Sequence, residues 1–461
     1  MPSSRSILIH VDERRRDFPV LAALKLLLER AGHRVILSTR RHTPVYLRRL
    51  RFDAILVPYM EHIPYDDLPA LGARSKIYML PTEGIMFDEG PLLYKYGGGA
   101  DPSRWDRQIR AVRRFFLWGD YSRRILLGTG RFREEQLLVV GGPRMDFFLV
   151  EPSPEERKLF EPGSLGGITG FSLTNSFIPM SPFQRVDMGR VGRGMYHSPT
   201  RQVEDRIWIE TAWVRVWLEL FDECRRRGEK IRLRVHHREN LQAYRYLRGK
   251  YGSVLGFDGQ ELPFESWLDR LGILLGYNST TFFEAVATGK PAVSLEGLIG
   301  PRLQEHVDGF AMNHYPIMDH VETPGSFSEL FDFIARVRAG KWEAALAYGP
   351  GPQAILRDVC DYPRKHSALA VIVETISRDL GESPSPRAAA DLFAERLARL
   401  AAGSLDFATF QIRRDAVTGS WFPLHEGAFR RQHALEIARF LRAAAASRAE
   451  STEPRRAQTV P

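Results

Sequence analysis

Two stretches of this 461-residue chain gather side chains suited to holding phosphate. The first is Arg234-Val235-His236-His237-Arg238-Glu239-Asn240. An imidazole set between guanidinium groups can donate a hydrogen bond to a departing phosphate, and the arginine forks offset its charge. The same residues would also suit an exposed polar turn. The second is Tyr277-Asn278-Ser279-Thr280-Thr281, followed by Phe282-Phe283-Glu284-Ala285. Hydroxyl groups and unpaired backbone N–H groups coincide there at a predicted helix N-terminus, the end that carries partial positive charge. Asn278, Ser279 or Thr280 would serve as an N-cap in any case, and capping is compatible with anion binding. Glu284, one turn into the helix, offers a carboxylate to vicinal hydroxyls such as those of a ribose, or a solvated side chain.

A third stretch offers a base. In Pro81-Thr82-Glu83-Gly84 the carboxylate of Glu83 follows a predicted strand, where it could deprotonate an attacking hydroxyl. Asp88-Glu89-Gly90 supplies a competing pair, Asp88 and Glu89, a few residues on. Other polar groups follow predicted strands of the first half: Asp12 and Arg16 in the cluster Asp12-Glu13-Arg14-Arg15-Arg16-Asp17, Trp118 in Trp118-Gly119-Asp120, and Arg144 in Gly142-Pro143-Arg144-Met145-Asp146. We expect these to line a cleft, with the glycines permitting tight turns and Arg144 either reaching a phosphate or pairing with Asp146.

The elements that must position these groups alternate strand and helix. Ser6–Val11 reads as a buried strand, Asp17–Gly32 as an amphipathic helix stopped by Gly32, and Arg34–Ser38 as a second strand. Strands at Phe52–Pro58, Lys76–Leu80, Phe115–Trp118 and Gln136–Val140 follow, with helices at Tyr46–Leu50, Trp105–Phe115 and Tyr121–Leu127. Glu151–Gly167, rich in Pro, Glu and Gly, reads as a connection. A second series has strands at Ile168–Leu173, Ile231–Val235, Gly272–Gly276 and Pro291–Leu295. Its helices are at Val203–Arg227, Leu241–Lys250, Pro263–Leu271 and Thr280–Thr288. Further helices are expected at Ser326–Ala339, Trp342–Ala347, Tyr362–Leu380, Ala388–Ala402 and Phe429–Ala449. This rhythm predicts an α/β protein with two Rossmann-like domains, 1–150 and 167–383, joined by a linker at 151–166. A helical region at 384–449 and a disordered tail at 450–461 complete it. Ligands of such sheets bind beyond the carboxyl ends of the strands, where the stretches above lie.

Length suits two domains. Two cysteines, Cys224 and Cys360, form neither a disulfide framework nor a metal pattern, so a reducing compartment is expected. No apolar run reaches the roughly 18–20 residues of a spanning helix, and the first residues are too polar for a signal peptide, so a cytoplasmic location is expected. The net charge of +9 favours anionic partners. No nucleic-acid module is present in the sequence. Phe429–Ala449 sets Arg430, Arg431, Arg439 and Arg442 beside Leu435, Ile437, Phe440 and Leu441. It could lie at the inner membrane face or, the favoured reading, pack back on the first domain.

In this order the segments resemble the bacterial surface carbohydrate biosynthesis proteins, a group with GT-B glycosyltransferases such as the Kdo transferases and bacterial sialyltransferases. The resemblance runs over residues 5–300. It rests on Arg16-Asp17, Thr82-Glu83-Gly84, Leu117-Trp118-Gly119 and Val140-Gly141-Gly142-Pro143-Arg144-Met145-Asp146 in the first half. In the second it rests on Leu173-Thr174-Asn175, Arg234-Val235-His236-His237-Arg238-Glu239 and Asn278-Ser279-Thr280-Thr281 with Glu284-Ala285. It implies a GT-B fold with its two domains facing across a cleft. It also implies an inverting, metal-independent transfer from a nucleotide-sugar, such as a CMP-activated Kdo or nonulosonic acid, to a glycan acceptor. The donor would be a substrate, with no cofactor. Glu83 and His236 would be catalytic. Arg234, His237, Glu239, Asn278, Ser279, Thr280, Thr281 and Glu284 would hold the donor, and Asp12, Arg16, Asp88, Glu89, Trp118, Arg144 and Asn175 would line the acceptor side. Valine and histidine replace the two prolines of the related phosphate-binding segment, and Thr82 replaces the first acid of the base motif. A nucleotide-sugar epimerase on the same plan and a non-catalytic assembly scaffold are the competing readings.

Overall fold

The computed structural model describes residues 4–12, 14–39, 42–59, 68–81, 92, 96, 102–151, 153–154, 168–171, 200–234, 245–258, 264–277, 279–299, 315–343, 348–381 and 433–452. The chain divides into two compact units: residues 1–153 with 356–461, and residues 154–355.

The first unit is built on a six-stranded parallel sheet: β1 (Ser6–Val11), β2 (Arg34–Thr39), β3 (Ala54–Val57), β4 (Lys76–Met79), β5 (Val112–Leu117) and β6 (Leu137–Val139), in the order β2-β1-β3-β4-β5-β6. Alternate residues of a strand face opposite sides, and both sides are buried. Ile7, Ile9 and Val11 enter one core with the helices Arg14–Arg30, Ala368–Gly381 and Ala434–Thr452. Leu8 enters the other with Tyr46, Ile109 and Leu126 from the helices Thr43–Arg49, Pro102–Ala111 and Asp120–Gly128. Gly32 takes φ +92° just past the first helix, the left-handed backbone expected there. The expected helix up to Phe115 stops at Ala111, and β5 takes over from Val112.

Residues 356–381 belong to this unit, which corrects the expected boundary at 383. The helix begins at Ala368, later than the expected Tyr362, and its far end is tied to the sheet through Asp379. The Asp379 carboxylate accepts from the Tyr78 hydroxyl at 3.2 Å and meets Arg114 at 3.4 Å and Arg113 at 3.5 Å. The helix Ala434–Thr452 also packs back on the first unit, as the favoured reading held. Phe440 meets Phe147 at 5.6 Å between centroids, the Arg439 guanidinium stands 4.1 Å from the Phe147 ring, and Arg439 Nε donates to the Val150 carbonyl at 3.2 Å. Ile437 and Phe440 are thus core. This helix runs to Thr452, into the stretch expected as tail. Among the described residues no helix is long and apolar enough to cross a membrane.

These ties carry a pH dependence. Burial opposes the charge on Asp379, but the hydrogen bond and charge of Arg114, with Arg113 and Tyr78, outweigh it and hold its carboxyl below the ordinary value. Such a group binds fewer protons folded than unfolded. Its stabilisation is therefore present above the ordinary carboxylate pKa and is lost as pH falls through the lowered value. His33, bonded to Ser377 at 2.9 Å, acts in the same direction at higher pH. Burial, helped by the charge of Arg5, holds its imidazole below 6.5. Neutral His33 stabilises above 6.5, and the contribution fades as pH falls through the lowered value. The urea midpoint is expected to drop in two stages on acidification, the upper stage disappearing in His33→Gln. A wild-type midpoint that stays level as pH falls through both windows would contradict this.

The second unit holds a five-stranded parallel sheet: β7 (Ile168–Phe171), β8 (Ile231–Arg234), β9 (Leu255–Asp258), β10 (Leu274–Gly276) and β11 (Ala292–Ser294), ordered β11-β10-β7-β8-β9. The long helix Thr200–Arg227 covers one face through Trp213, Val216, Trp217, Leu220 and Phe221. The strand β9 was not anticipated, because Gly256 and Asp258 break its apolar pattern. The helix Pro350–Cys360 was also missed, since its opening Pro-Gly-Pro reads as a breaker, although proline is tolerated in a first turn. Cys224 and Cys360 are both buried and are not joined in a disulfide.

Candidate functional site

In the second unit the chain leaves β7 for β8 and β9 on one side and returns to β10 and β11 on the other. The switch point between β7 and β10 is where an open parallel sheet opens a crevice at its carboxyl edge. Two of the sequence-predicted stretches converge there. Phe171 pairs with Arg234, and Leu275 pairs with Gly170 one level below, so Gly276, Phe171 and Arg234 form a row along the rim. Two strand spacings, roughly 10 Å, separate β10 from β8.

Arg234 ends β8 on the side away from the Ile231 and Leu233 core. Its guanidinium lies 5.2 Å from the Trp267 ring centroid and 6.0 Å from that of Phe264, both in the helix Phe264–Asp269. Aromatic faces attract the cation and hold its direction. This cradle was not foreseen. Its signal was the pair Phe264 and Trp267 in a short helix, which periodicity alone assigns to the core.

Beyond β10, Ser279 shapes the turn into the helix Thr281–Ala287. Its hydroxyl donates to Thr281 Oγ1 at 3.0 Å and accepts from the Thr281 backbone N–H at 3.2 Å. Of the three candidate caps, therefore, Ser279 is seen to cap, and Thr280 at the N-cap position makes no side-chain cap bond. Ser279, Thr281 and Glu284 are buried and Thr280 is half-buried. Glu284 is thus not the solvated side chain that was the alternative. His236, His237, Glu239, Asn278 and Asn175 lie outside the described residues.

In the first unit the switch point falls between β1 and β3. Asp12 follows β1 and is half-buried, and Arg16 lies in the helix Arg14–Arg30. Glu83, Asp88 and Glu89 lie outside the described residues. Trp118 is buried and is not a lining residue: its Nε1 donates to the Pro81 carbonyl at 3.0 Å. That bond fixes the strand end from which the Thr82-Glu83-Gly84 segment departs. Gly119 is extended, not turned. A Cβ there would stand 2.2 Å from the Asp358 carbonyl oxygen, so glycine is required by the approach of the helix Pro350–Cys360.

The Gly-Gly-Pro-Arg-Met-Asp segment is likewise structural. Asp146 does not pair with Arg144. Its carboxylate takes Arg364 Nη2 at 2.5 Å, the Ser367 hydroxyl at 2.6 Å and the backbone N–H groups of Ala368 and Leu369 at 2.9 and 3.0 Å. Arg364 Nη2 also donates to the Gly142 carbonyl at 2.8 Å. Gly141 takes φ +88°, and a Cβ there would lie 2.5 Å from the Arg364 guanidinium carbon. Arg144 is half-buried beside this lock.

A polar cluster at the β1 and β2 ends went unread in the sequence. Thr43 Oγ1 lies 3.0 Å from the Thr39 carbonyl, 2.8 Å from His10 Nδ1 and 3.0 Å from Ser38 Oγ. His10 sits in an apolar strand, and only its place near the end of a central strand could have flagged it.

No protein-family model matches the sequence, and no curated protein matches it. Among solved structures the chain is similar to the wall teichoic acid polymerase TagF, with a TM-score of 0.51 at 12% identity over 83% of this chain and 90% of that one. A second structure of TagF, a variant, gives 0.51 at 12% identity over 82% and 90%. A UDP-GlcNAc 2-epimerase from Neisseria meningitidis bound to UDP-GlcNAc gives 0.46 at 11% identity over 81% and 100%. The likeness to TagF is one of fold, and the fold is GT-B: two α/β units, each with a parallel Rossmann-like sheet.

Proposed function

We propose that the chain is a glycosyltransferase of bacterial surface polysaccharide biosynthesis, moving a sugar from a nucleotide donor to a glycan acceptor. The observation that carries this reading is the rim of the second sheet. There an aromatic-cradled Arg234 ends β8 and the hydroxyl turn Ser279–Thr281 follows β10, on either side of β7 at a switch point. Cation and hydroxyl donors spaced this way suit the phosphate of a nucleotide. The GT-B fold shared with TagF supports the same class of chemistry without naming the donor.

In the mechanism, Glu83 removes the proton of the acceptor hydroxyl, with Asp88 and Glu89 as the rival carboxylates. Arg234, His236, Ser279 and Thr280 hold the departing phosphate, and the transfer inverts the anomeric centre without a metal ion. A CMP-activated acidic sugar is the donor this reading favours. Thermal shift with CMP, UDP, GDP, ADP and dTDP, on wild type and His236→Ala, tests it. A ligand at 100 times its Kd adds about 2.7 kcal/mol of native-state stability. Selective stabilisation by one nucleotide, lost in the variant, is expected. No shift with any nucleotide would overturn the reading. Incubating the selected nucleotide-sugar without acceptor separates the classes, since an epimerase isomerises the sugar and a transferase leaves it intact or slowly hydrolyses it.

A further inference from the structure

The amino edge of the first sheet, the end opposite the carboxyl rim, carries six exposed arginines. Arg48 and Arg49 close the helix Thr43–Arg49, and Arg51 stands between that helix and β3. Arg107 and Arg110 lie toward the end of the helix Pro102–Ala111, and Arg74 follows the short helix Leu68–Gly72. Packing brings these segments together. The Ser6 hydroxyl donates to the Arg51 carbonyl at 3.4 Å, so Arg51 borders the start of β1. The Lys76 N–H donates to the Asp53 carbonyl at 2.9 Å, which sets the turn that holds Arg74 beside the start of β3. A Cβ on Gly72 would stand 3.0 Å from the Ala111 carbonyl oxygen, so the segments bearing Arg74 and Arg110 abut. From β1 through β3 and β4 to β5 the edge spans three strand spacings, roughly 14 Å.

Among the described residues none of the six makes an ion pair or an aromatic contact. The carboxylates nearest in sequence are engaged elsewhere. Asp53 accepts from the Ser6 backbone N–H at 2.7 Å and lies 3.9 Å from Arg5, and Asp106 faces Arg131 at 3.9 Å. A helix C-terminus attracts basic residues, which accounts for some arginine at any such edge. The second unit has the same feature with its charge balanced. Arg225 and Arg227 at the end of the helix Thr200–Arg227 pair with Asp222 at 2.7 Å and Glu223 at 3.3 Å, and Arg226 also meets Glu223. Arg336 and Arg338 at the end of the helix Phe327–Arg338 pair with Glu322 at 3.1 Å and Glu229 at 2.7 Å. The first unit leaves its charge uncompensated and turned to solvent.

We propose that this edge docks the protein on an anionic phospholipid surface. Unlike Arg234, these guanidiniums have no aromatic cradle and no polar partner to fix their direction, so they are not preorganised for a single phosphate. Six charges spread over several segments suit headgroups that can move laterally to meet them. Docking there leaves the opposite, carboxyl rim uncovered. The proposal is independent of the nucleotide reading, since it uses none of the residues at the second sheet's rim.

Co-sedimentation of the full chain with vesicles tests it. Wild type should bind vesicles of phosphatidylglycerol and phosphatidylcholine in equal parts, ignore pure phosphatidylcholine, and be released by molar salt, where screening shortens to about 3 Å. Substituting Arg48→Gln, Arg49→Gln and Arg51→Gln together should weaken partitioning about a hundredfold, at about fivefold per arginine. Arg107→Gln with Arg110→Gln should weaken it about twenty-fivefold. Arg225→Gln, Arg226→Gln and Arg227→Gln together remove the same charge as the first triple, but from paired positions, and should change it less than fivefold. Equal losses for the two triples would overturn the proposal by showing a response to net charge alone. Failure of wild type to bind anionic vesicles would also overturn it, and retention on an acidic polysaccharide in that case would assign the edge to a polymer.

Discussion

Asp146→Ala is expected to lower the stability of the first unit by about 3–5 kcal/mol, the usual cost of leaving one member of a buried ion pair without its partner. Asp146 is fully buried and Arg364 nearly so. Removing the carboxylate leaves the buried guanidinium with backbone carbonyls but no counter-charge, and also frees the N–H groups of Ala368 and Leu369 at the start of the helix Ala368–Gly381. The reciprocal change should cost less. In Arg364→Ala the carboxylate keeps Ser367 and the two backbone donors, so a helix N-terminus still faces a negative charge. The double variant should therefore lose less than the sum of the two, as residues in one network do. Urea titration followed by circular dichroism measures all three. A cost below about 1 kcal/mol for Asp146→Ala, within the range of an exposed pair, would show that this lock does not hold the unit together.

The second large effect concerns the site. Arg234→Ala should reduce kcat/KM for the nucleotide-sugar about a hundredfold, or about 2.8 kcal/mol at about 1.4 kcal/mol per tenfold. The charge-assisted bond to phosphate is lost, and no other cation is described on that row of the rim. Lysine restores charge but not the flat fork that lies against Trp267 and Phe264, so Arg234→Lys should recover only part of the loss. The urea midpoint of each variant, measured alongside, separates this effect from unfolding. Activity of Arg234→Ala within twofold of wild type would take the residue out of the site.

Much of this was legible along the chain because it arises from local geometry. Strands announce themselves by apolar runs, and helices by a 3.6-residue period closed by a residue such as Gly32. Their alternation fixes a parallel α/β sheet, and parallel sheets present ligands to the carboxyl ends of their strands. Arg234 and Ser279 could therefore be chosen before any coordinates. The strand β9 was lost to the pattern because Gly256 and Asp258 interrupt it, although pairing with β8 supplies the hydrogen bonds that its composition does not advertise. The motifs themselves were visible, but their work was not. Trp118 and the Gly-Gly-Pro-Arg-Met-Asp segment carry the letters of a ligand-lining turn, yet their partners are the Pro81 carbonyl and Arg364.

By itself the sequence determined the fold class, the strand ends at which chemistry can occur, and the residue types available there, since each follows from neighbours within a few positions. Tertiary structure alone decided which polar groups are spent inside the protein and which stand at a rim. Asp146 meets a partner 218 residues away, and Trp213 meets Tyr277 across a helix and a sheet. Such pairings depend on which helix closes over which sheet, and a desolvated carboxylate binds whichever cation that closure brings to it. No spacing along the chain encodes that choice.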